Sequence, residues 1–145
     1  SPNSVRTSAR IGSSNPLYCT GLGKAILATL PDDEVRAILK RTGGLRPVTP
    51  YTITDEAQFM SILAQARQQG YAIDDREHNS EVFCLAAPVY NLHGHVSAAI
   101  SVASLFSKVK DDRQKIEVLG KMISAAALEL SHRIGYRGHS LYVSG

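Results

Sequence analysis

The chain of 145 residues has no tryptophan and only two cysteines, Cys19 and Cys84. Two cysteines are too few for the disulfide framework of a small secreted domain, so we predict a reducing, cytoplasmic setting. No apolar run approaches the ~20 residues that a membrane-spanning helix needs, so we expect neither a membrane span nor a signal peptide. The net charge of +3 is too small and too dispersed to indicate nucleic-acid binding by itself.

The remaining composition is that of one globular domain, with 43% hydrophobic and 20% charged residues. Periodicity and capping residues predict four helices, and alternating apolar residues predict four strands. The predicted helices span about 20–30, 32–42, 55–69 and 111–134, and the strands lie near residues 5–9, 71–74, 82–90 and 95–103. This order favours an α+β fold in which helices cover an antiparallel sheet.

Two predicted strands each have one face of small side chains. Cys84 and Ala86 share a face of the predicted strand 82–90. Ser101 and Ala103 share a face of the predicted strand 95–103, because side chains alternate across a strand. Small residues leave space above a sheet. Either a closely packed helix or a ligand could fill that space, and spacing alone leaves both readings open.

Gly21 and Gly23 stand where the first helix should begin, although glycine inside a helix costs about 1 kcal/mol relative to alanine. One interpretation is that they let the helix pack closely on a strand. The other is that they leave the unpaired amides of the first turn accessible to an anion such as a small carboxylate. The segment lacks the glycine and hydroxyl spacing of a phosphate-binding P-loop.

An acidic segment, Asp74-Asp75-Arg76-Glu77, begins at the end of the short second strand, 71–74. For Asp75, Arg76 and Glu77 we predict a solvated loop. Histidines lie nearby in sequence, but no pair shows the His-x3-His or Cys-x2-Cys spacing of a metal site. We therefore predict neither a metal nor a cofactor.

The last predicted helix has two apolar strips. The main strip is expected to face the core and comprises Ile116, Leu119, Ile123, Ala126, Leu130 and Ile134. Outside it lie Val118, Met122 and Ala125, which either belong to the core as well or serve self-association.

Three segments together resemble the effector-binding domain of IclR-type bacterial transcription regulators. They read PLYCTGLGKAILATLPDDEV over 16–35, YTITDEAQFMSILAQARQQGYAIDDREHNSEVFCLAAPVYNLHGHVSAAISVAS over 51–104, and IGY over 134–136. Their order and spacing, rather than any single motif, make the resemblance specific. It implies a GAF-like fold and a regulatory function without catalysis.

The resemblance also implies a ligand site. The amides of Gly21 and Leu22 match a turn that cradles a carboxylate, and Asp74 matches an acid that accepts from the ligand's hydroxyl or hydrated carbonyl. The implied ligand is a small organic acid or sugar acid.

The other implied site residues lie on the two small-faced strands. Val82 matches an apolar wall, Cys84 a pocket cysteine, and Ser101 the first serine of a Ser-x-Ser pair. The second serine is replaced by Ala103, so one donor is lost and some room is gained.

The resemblance further implies that residues 1–136 form an effector domain truncated at its N-terminus, with residues 137–145 as an irregular tail. A winged helix-turn-helix outside this chain would contact operator DNA, as in a repressor, and the protein would form dimers or tetramers. Two alternatives stay open: an enzyme with Cys84 as nucleophile and His78 as base, and an oligomerisation module without a ligand.

Overall fold

The computed structural model describes residues 16–142, which form five helices and one three-stranded sheet. The elements in chain order are α1 (Gly21–Leu27), α2 (Asp32–Arg41), α3 (Glu56–Gln69), β1 (Ala72–Asp75), β2 (Val82–Tyr90), β3 (Val96–Leu105), α4 (Phe106–Val109) and α5 (Arg113–Arg133). The strands are antiparallel in the order β1-β2-β3, which confirms the predicted α+β class. Within residues 16–142 no helix combines the length and the apolar character that a membrane span requires.

Capping residues define the start of α1 and both ends of α3. The hydroxyl of Thr20 accepts a hydrogen bond from the amide of Gly23 and caps α1. The carboxylate of Asp55 accepts from the amide of Gln58 and caps α3, which ends at Gly70 in the left-handed conformation. These local signals are why the helices begin and end close to the predicted residues.

The sheet separates two packing layers. On one face, Phe83 and Leu85 of β2 pack with Ile116, Leu119 and Ile123 of α5. On the opposite face, α1 lies against the small residues of β2. Both faces of the central strand are therefore covered, whereas β3 has exposed residues on both of its faces.

Arg67 joins α3 to the turn between α1 and α2. Its guanidinium donates to the backbone carbonyls of Ala28 and Leu30 and forms an ion pair with Asp32 at 3.2 Å. Two carbonyls beyond the end of α1 thereby obtain donors, and three helices are held in one arrangement.

The structure corrects several predicted elements. Helix α1 ends at Leu27 rather than near Leu30, and β1 is shifted by one residue to Ala72–Asp75. The short helix α4 was missed, because four residues are too few to show a period. The predicted strand near residues 5–9 lies outside the described residues.

The prediction that the main apolar strip of α5 faces the core is correct only for the first half of the strip. Its first three residues pack in the core, but Ala126, Leu130 and Ile134 are exposed. The buried positions of the helix are Gly120, Ala127 and Ser131. Small residues let the helix approach β2 closely. In the second half of α5 these small residues face the sheet, and the larger side chains therefore point outward.

The segment after α5 has no regular secondary structure over residues 137–142, as predicted for the tail, yet it packs into the core. Leu141 and Tyr142 are buried, and the Tyr142 hydroxyl donates to the carbonyl of Ala25 at 3.1 Å. The hydroxyl of Tyr90 donates to the carbonyl of Leu141. The chain therefore closes over the back of α1.

Gly21 and Gly23 both permit close packing. A Cβ at Gly21 would lie 2.9 Å from Sγ of Cys84, and a Cβ at Gly23 would overlap the backbone carbonyl of Leu17. At residue 21 the added Cβ would meet a side chain, which can move. At residue 23 it would meet the backbone, which cannot move as easily. The close-packing interpretation of the glycines therefore holds, and it places the start of α1 directly above β2.

We expect Gly21→Ala to lower the free energy of unfolding by about 1–3 kcal/mol, the usual cost of overpacking. In a Cys84→Ala background, where the sulfur atom is absent, the same change should cost less than half as much. Urea denaturation of the four proteins measures both values. Equal costs in the two backgrounds would show that the Cys84 contact does not limit residue 21.

Candidate functional site

The strand register brings the predicted polar and small residues onto one face of the sheet. Asp74 pairs with Cys84 and Cys84 with Ala103, so these three residues form one row across all three strands. Ala86 pairs with Ser101 in the adjacent row. Because directly paired residues of antiparallel strands share a face, the small faces of β2 and β3 are continuous, and Asp74 borders them.

The start of α1 lies over this face. Gly21 sits above Cys84 and Ala86, while the side chain of Leu22 is exposed. Val82 lies on the same face as Cys84, two residues earlier in β2. Thr20 uses its hydroxyl and its carbonyl to accept from the amides of Gly23 and Lys24. Within residues 16–142, the amides of Gly21 and Leu22 have no comparable acceptor.

Asp74 is a buried acid, with a residue exposure of 6%. One carboxylate oxygen accepts from the amide of Glu77 at 2.8 Å. Burial raises the pKa of Asp74 from 3.8 to about 6, because desolvation disfavours the ionised form more than the backbone amides of Glu77 and His78 and the charge of Lys24 favour it. The row therefore contains a carboxyl group whose negative charge is only partly stabilised by the surrounding amides and cation.

The most deeply buried charges of the described chain are Lys24 and Glu77, at 1% and 4% exposure. The ammonium group of Lys24 lies 2.7 and 2.6 Å from the two carboxylate oxygens of Glu77. The prediction that Glu77 belongs to a solvated loop is therefore wrong. Burial raises the pKa of Glu77 despite the opposing effect of Lys24, while Asp75 and Arg76 are half-buried.

The turn that carries Glu77 is held by the loop before α3. The hydroxyls of Thr49 and Thr52 donate to the carbonyls of Arg76 and Glu77, each at 2.6 Å. Arg76 has a positive φ of 60°, which is uncommon for a side-chain-bearing residue. Its guanidinium stacks between the rings of Tyr51 and Phe106, at 3.8 and 3.7 Å from their centroids.

Cys84 is half-buried, and burial raises the pKa of its thiol to about 11, an effect to which the negative charge of Asp74 adds. A nucleophilic cysteine needs the opposite shift, so this site disfavours thiol chemistry. In the part of the chain that the structure describes, no group of three or more histidine, cysteine or acidic residues could hold a metal ion.

The candidate site is an open face rather than an enclosed cavity, since Leu22, Ser101 and Ala103 are exposed. A separate cavity of about 330 Å³ lies beside the buried ion pair and is lined in part by Tyr51, Arg76 and Glu77. Two others, of about 580 and 430 Å³, adjoin α2 and have none of the predicted site residues in their walls.

Comparison with known proteins identifies relatives along most of the chain. The family described as "Bacterial transcriptional regulator IclR C-terminal" matches residues 1–132. The HTH-type transcriptional repressor AllR of Escherichia coli K12 is 36% identical over 135 residues, which cover 93% of this chain and 49% of that protein. The chain thus spans about half the length of this relative.

Solved structures agree with that match. The repressor BlcR of Agobacterium tumefaciens superimposes with a TM-score of 0.82 at 30% identity, covering 90% of this chain and 51% of that one. The inducer-binding domain of the PobR transcription factor from Acinetobacter, a double mutant in complex with 3-hydroxybenzoic acid, has a TM-score of 0.69 at 33% identity. The superposition covers 80% of this chain and 67% of that one.

The buried ion pair provides a test of this arrangement. Glu77→Gln removes the carboxylate that contacts the buried ammonium group of Lys24, and we expect it to lower the free energy of unfolding by about 3–5 kcal/mol. The double variant Lys24→Met/Glu77→Gln has no buried charge at this position and should be more stable than the Glu77→Gln variant alone.

The matched control is the exposed pair Arg36–Glu56, whose side chains are 3.2 Å apart. Glu56→Gln should cost less than about 1 kcal/mol, as is usual for surface pairs. Urea denaturation at pH 7 measures all of these variants. A Glu77→Gln variant as stable as the Glu56→Gln variant would contradict the burial of the Lys24–Glu77 pair.

Proposed function

The chain belongs to the family of bacterial transcriptional regulators that share the IclR C-terminal domain, and on that premise we propose that it senses a small hydroxylated carboxylate or sugar acid. The proposed ligand lies on the face formed by Asp74, Cys84 and Ala103, below the start of α1. Its binding would modulate DNA binding by a segment outside this chain. The family is one of regulators rather than enzymes, which also disfavours the cysteine-enzyme alternative.

Buried Asp74 is the observation that carries this proposal. A carboxyl group at 6% exposure borders a face of small side chains, and burial raises its pKa even though the backbone amides of Glu77 and His78 and the charge of Lys24 favour its ionised form. Hydroxyl groups of a ligand would provide further donors. The exposed hydroxyl of Ser101, in the next row, would add a second polar contact.

The charges at the two ends of the site favour a polarised ligand. The amides of Gly21 and Leu22 lie at the positive end of a helix and would accept a carboxylate. Asp74 would repel a carboxylate placed beside it but would attract hydroxyl donors. We therefore expect the ligand to carry its carboxylate at one end and its hydroxyl groups at the other, with Val82 as an apolar wall.

The ligand of the PobR inducer-binding domain supports this class of molecule. That ligand, 3-hydroxybenzoic acid, carries one carboxyl and one hydroxyl group at separate positions of a small ring. The same two groups are those that the amides and Asp74 would bind here. The replacement of a second serine by Ala103 would leave room for a molecule larger than the smallest keto acids.

The whole-protein function is part of the same proposal. AllR and BlcR are named as repressors, and this chain spans about half of each. We infer that the complete protein is a cytoplasmic repressor, that operator DNA is contacted by a winged helix-turn-helix outside this chain, and that the protein forms a homo-oligomer. No membrane partner is invoked.

Asp74→Asn tests the acceptor while preserving shape, because an asparagine oxygen can still accept from the amide of Glu77. We expect it to weaken binding of a hydroxy acid by about 1.5–3 kcal/mol, the usual value of a hydrogen bond to a charged group. Thermal-shift screening with 3-hydroxybenzoate, gluconate and glycolate selects the probe, and calorimetry measures its affinity.

Asp75→Asn is the control for this experiment. Asp75 is adjacent in β1, alternates to the opposite face and bonds to Arg76 instead. This variant should bind the probe as tightly as the unmodified chain. Equal affinity in the Asp74→Asn variant would remove Asp74 from the site.

Ala103→Ser tests the end of the Asp74–Cys84–Ala103 row that lies on β3. The new hydroxyl would lie across β2 from Asp74, supplying a donor and narrowing the face. We expect the ratio of affinities for glycolate over gluconate to rise by about tenfold, a difference of ~1.4 kcal/mol. Competition calorimetry measures this ratio, and an unchanged preference would show that residue 103 does not line the site.

A further inference from the structure

The cavity of about 330 Å³ beside the buried ion pair lies between α3 and the free edge of β1. One side of α3 lines it with residues that recur at helical spacing, namely Gln58, Ile62, Gln65 and Gln69. Ile73 lines it from β1. No residue of the proposed hydroxy-acid site belongs to its wall. Its volume is within the range of roughly 300–1,000 Å³ that small-molecule sites occupy.

The backbone of β1 alternates between bonding to β2 and pointing away from it. The amide of Arg76, just after β1, donates to the carbonyl of Val82 at 3.0 Å. In an antiparallel ladder every second residue bonds to the neighbouring strand, so Ala72 and Asp74 also bond to β2. The amide and carbonyl of Ile73 therefore point to the free edge of the sheet, where the cavity lies.

Side chains close this edge on both sides of Ile73. The carbonyl of Tyr71 accepts from the side-chain amide of Gln69 at 2.9 Å, and the amide of Asp75 donates to the Glu77 carboxylate at 3.0 Å. In the part of the chain that the structure describes, neither backbone group of Ile73 has such a partner. A long peptide strand would find the neighbouring groups occupied, so the opening suits a single peptide group.

The charged groups in the cavity wall form two ion pairs. Lys24 is paired with Glu77 at 2.6 Å, and Arg76 is paired with Asp75 at 2.9 Å. A charged ligand would lose its hydration in this cavity without gaining a counter-charge, because each charge of the wall already has a partner. The cavity therefore favours an uncharged ligand, in contrast to the anion expected at the start of α1.

We propose that this cavity is a second binding site, which takes an uncharged small molecule that carries a secondary amide. The ligand carbonyl accepts from the amide of Ile73 and the ligand N–H donates to its carbonyl, as one residue of an added strand would do. The exposed side-chain amides of Gln58 and Gln65 bind further polar groups, and Ile53 and Ile62 contact the apolar part. This site does not rest on the proposed hydroxy-acid site, so the failure of either leaves the other intact.

N-acetylalanine N-methylamide is the probe for this site, because it is uncharged and carries the peptide groups of a single residue. Titration of the isotope-labelled chain, followed by heteronuclear NMR, should shift the backbone amide of Ile73 and the side-chain amides of Gln58 and Gln65 in a saturable way. N-acetylalanine has a carboxylate instead of the second amide, and we expect its dissociation constant to be about tenfold higher.

Two substitutions on α3 locate the probe. Gln65→Trp places a large side chain in the cavity wall and should raise the dissociation constant of the probe by about tenfold or more. Gln68→Trp is the matched control, because Gln68 is exposed on the same helix but does not line the cavity. This variant should bind the probe within about twofold of the unmodified chain.

Ile73→Pro tests the backbone donor directly. Proline removes the N–H that points away from β2, so the ladder keeps its bonds, and proline is tolerated at such edge positions. We expect the dissociation constant of the probe to rise by about tenfold, whereas Ile73→Val keeps the N–H and should stay within about threefold. The substitutions on α3 test the site independently if the proline variant does not fold.

Three results would overturn the proposal. Shifts that rise linearly up to the solubility limit of the probe would show non-specific contact only. Equal affinities of the Gln65→Trp and Gln68→Trp variants would place the probe outside this cavity. Binding of N-acetylalanine as tight as that of the uncharged probe would contradict selection for an uncharged amide.

Discussion

The ion pair between Lys24 and Glu77 is the contact around which this domain is organised. An ammonium group at 1% exposure requires a counter-charge, and Glu77 supplies both of its oxygens to it. The pair joins α1 to the turn between β1 and β2, 53 residues away in sequence. One of the same oxygens also accepts from the amide of Asp75, so the pair fixes the turn as well as the helix.

Depth and position of the candidate site follow from this contact. Lys24 lies one helical turn after Gly21, so the ion pair that holds Lys24 also brings the start of α1 down onto β2. At that depth a side chain at residue 21 would meet Cys84. The glycine is therefore required by packing, and packing leaves its amide next to the row of Asp74, Cys84 and Ala103. Close packing of Gly21 therefore does not exclude the proposed ligand at this position.

The sequence alone predicted the features that depend on neighbouring residues, but not those that depend on contacts between residues remote in sequence. Capping residues and periodicity located α2 and α3, and alternation predicted the continuous small faces of β2 and β3. The burial of Glu77 was missed because its partner is remote in sequence, and a run of charged residues is usually solvated. The exposure of Leu130 was missed because a helix period does not reveal how far the covering sheet extends.

The arrangement of charges explains why the proposed ligand site uses Asp74 and not Glu77. Two acids and one base are buried together, and Lys24 is bound through both oxygens of Glu77. Asp74 has backbone amides and a more distant cation instead of a direct ion pair, and desolvation outweighs them and raises its pKa to about 6. A donor from outside the protein would find Glu77 satisfied and Asp74 only partly so. The structural ion pair thus isolates one acid at the edge of a face of small side chains, where hydroxyl groups are the chemistry that would complete it.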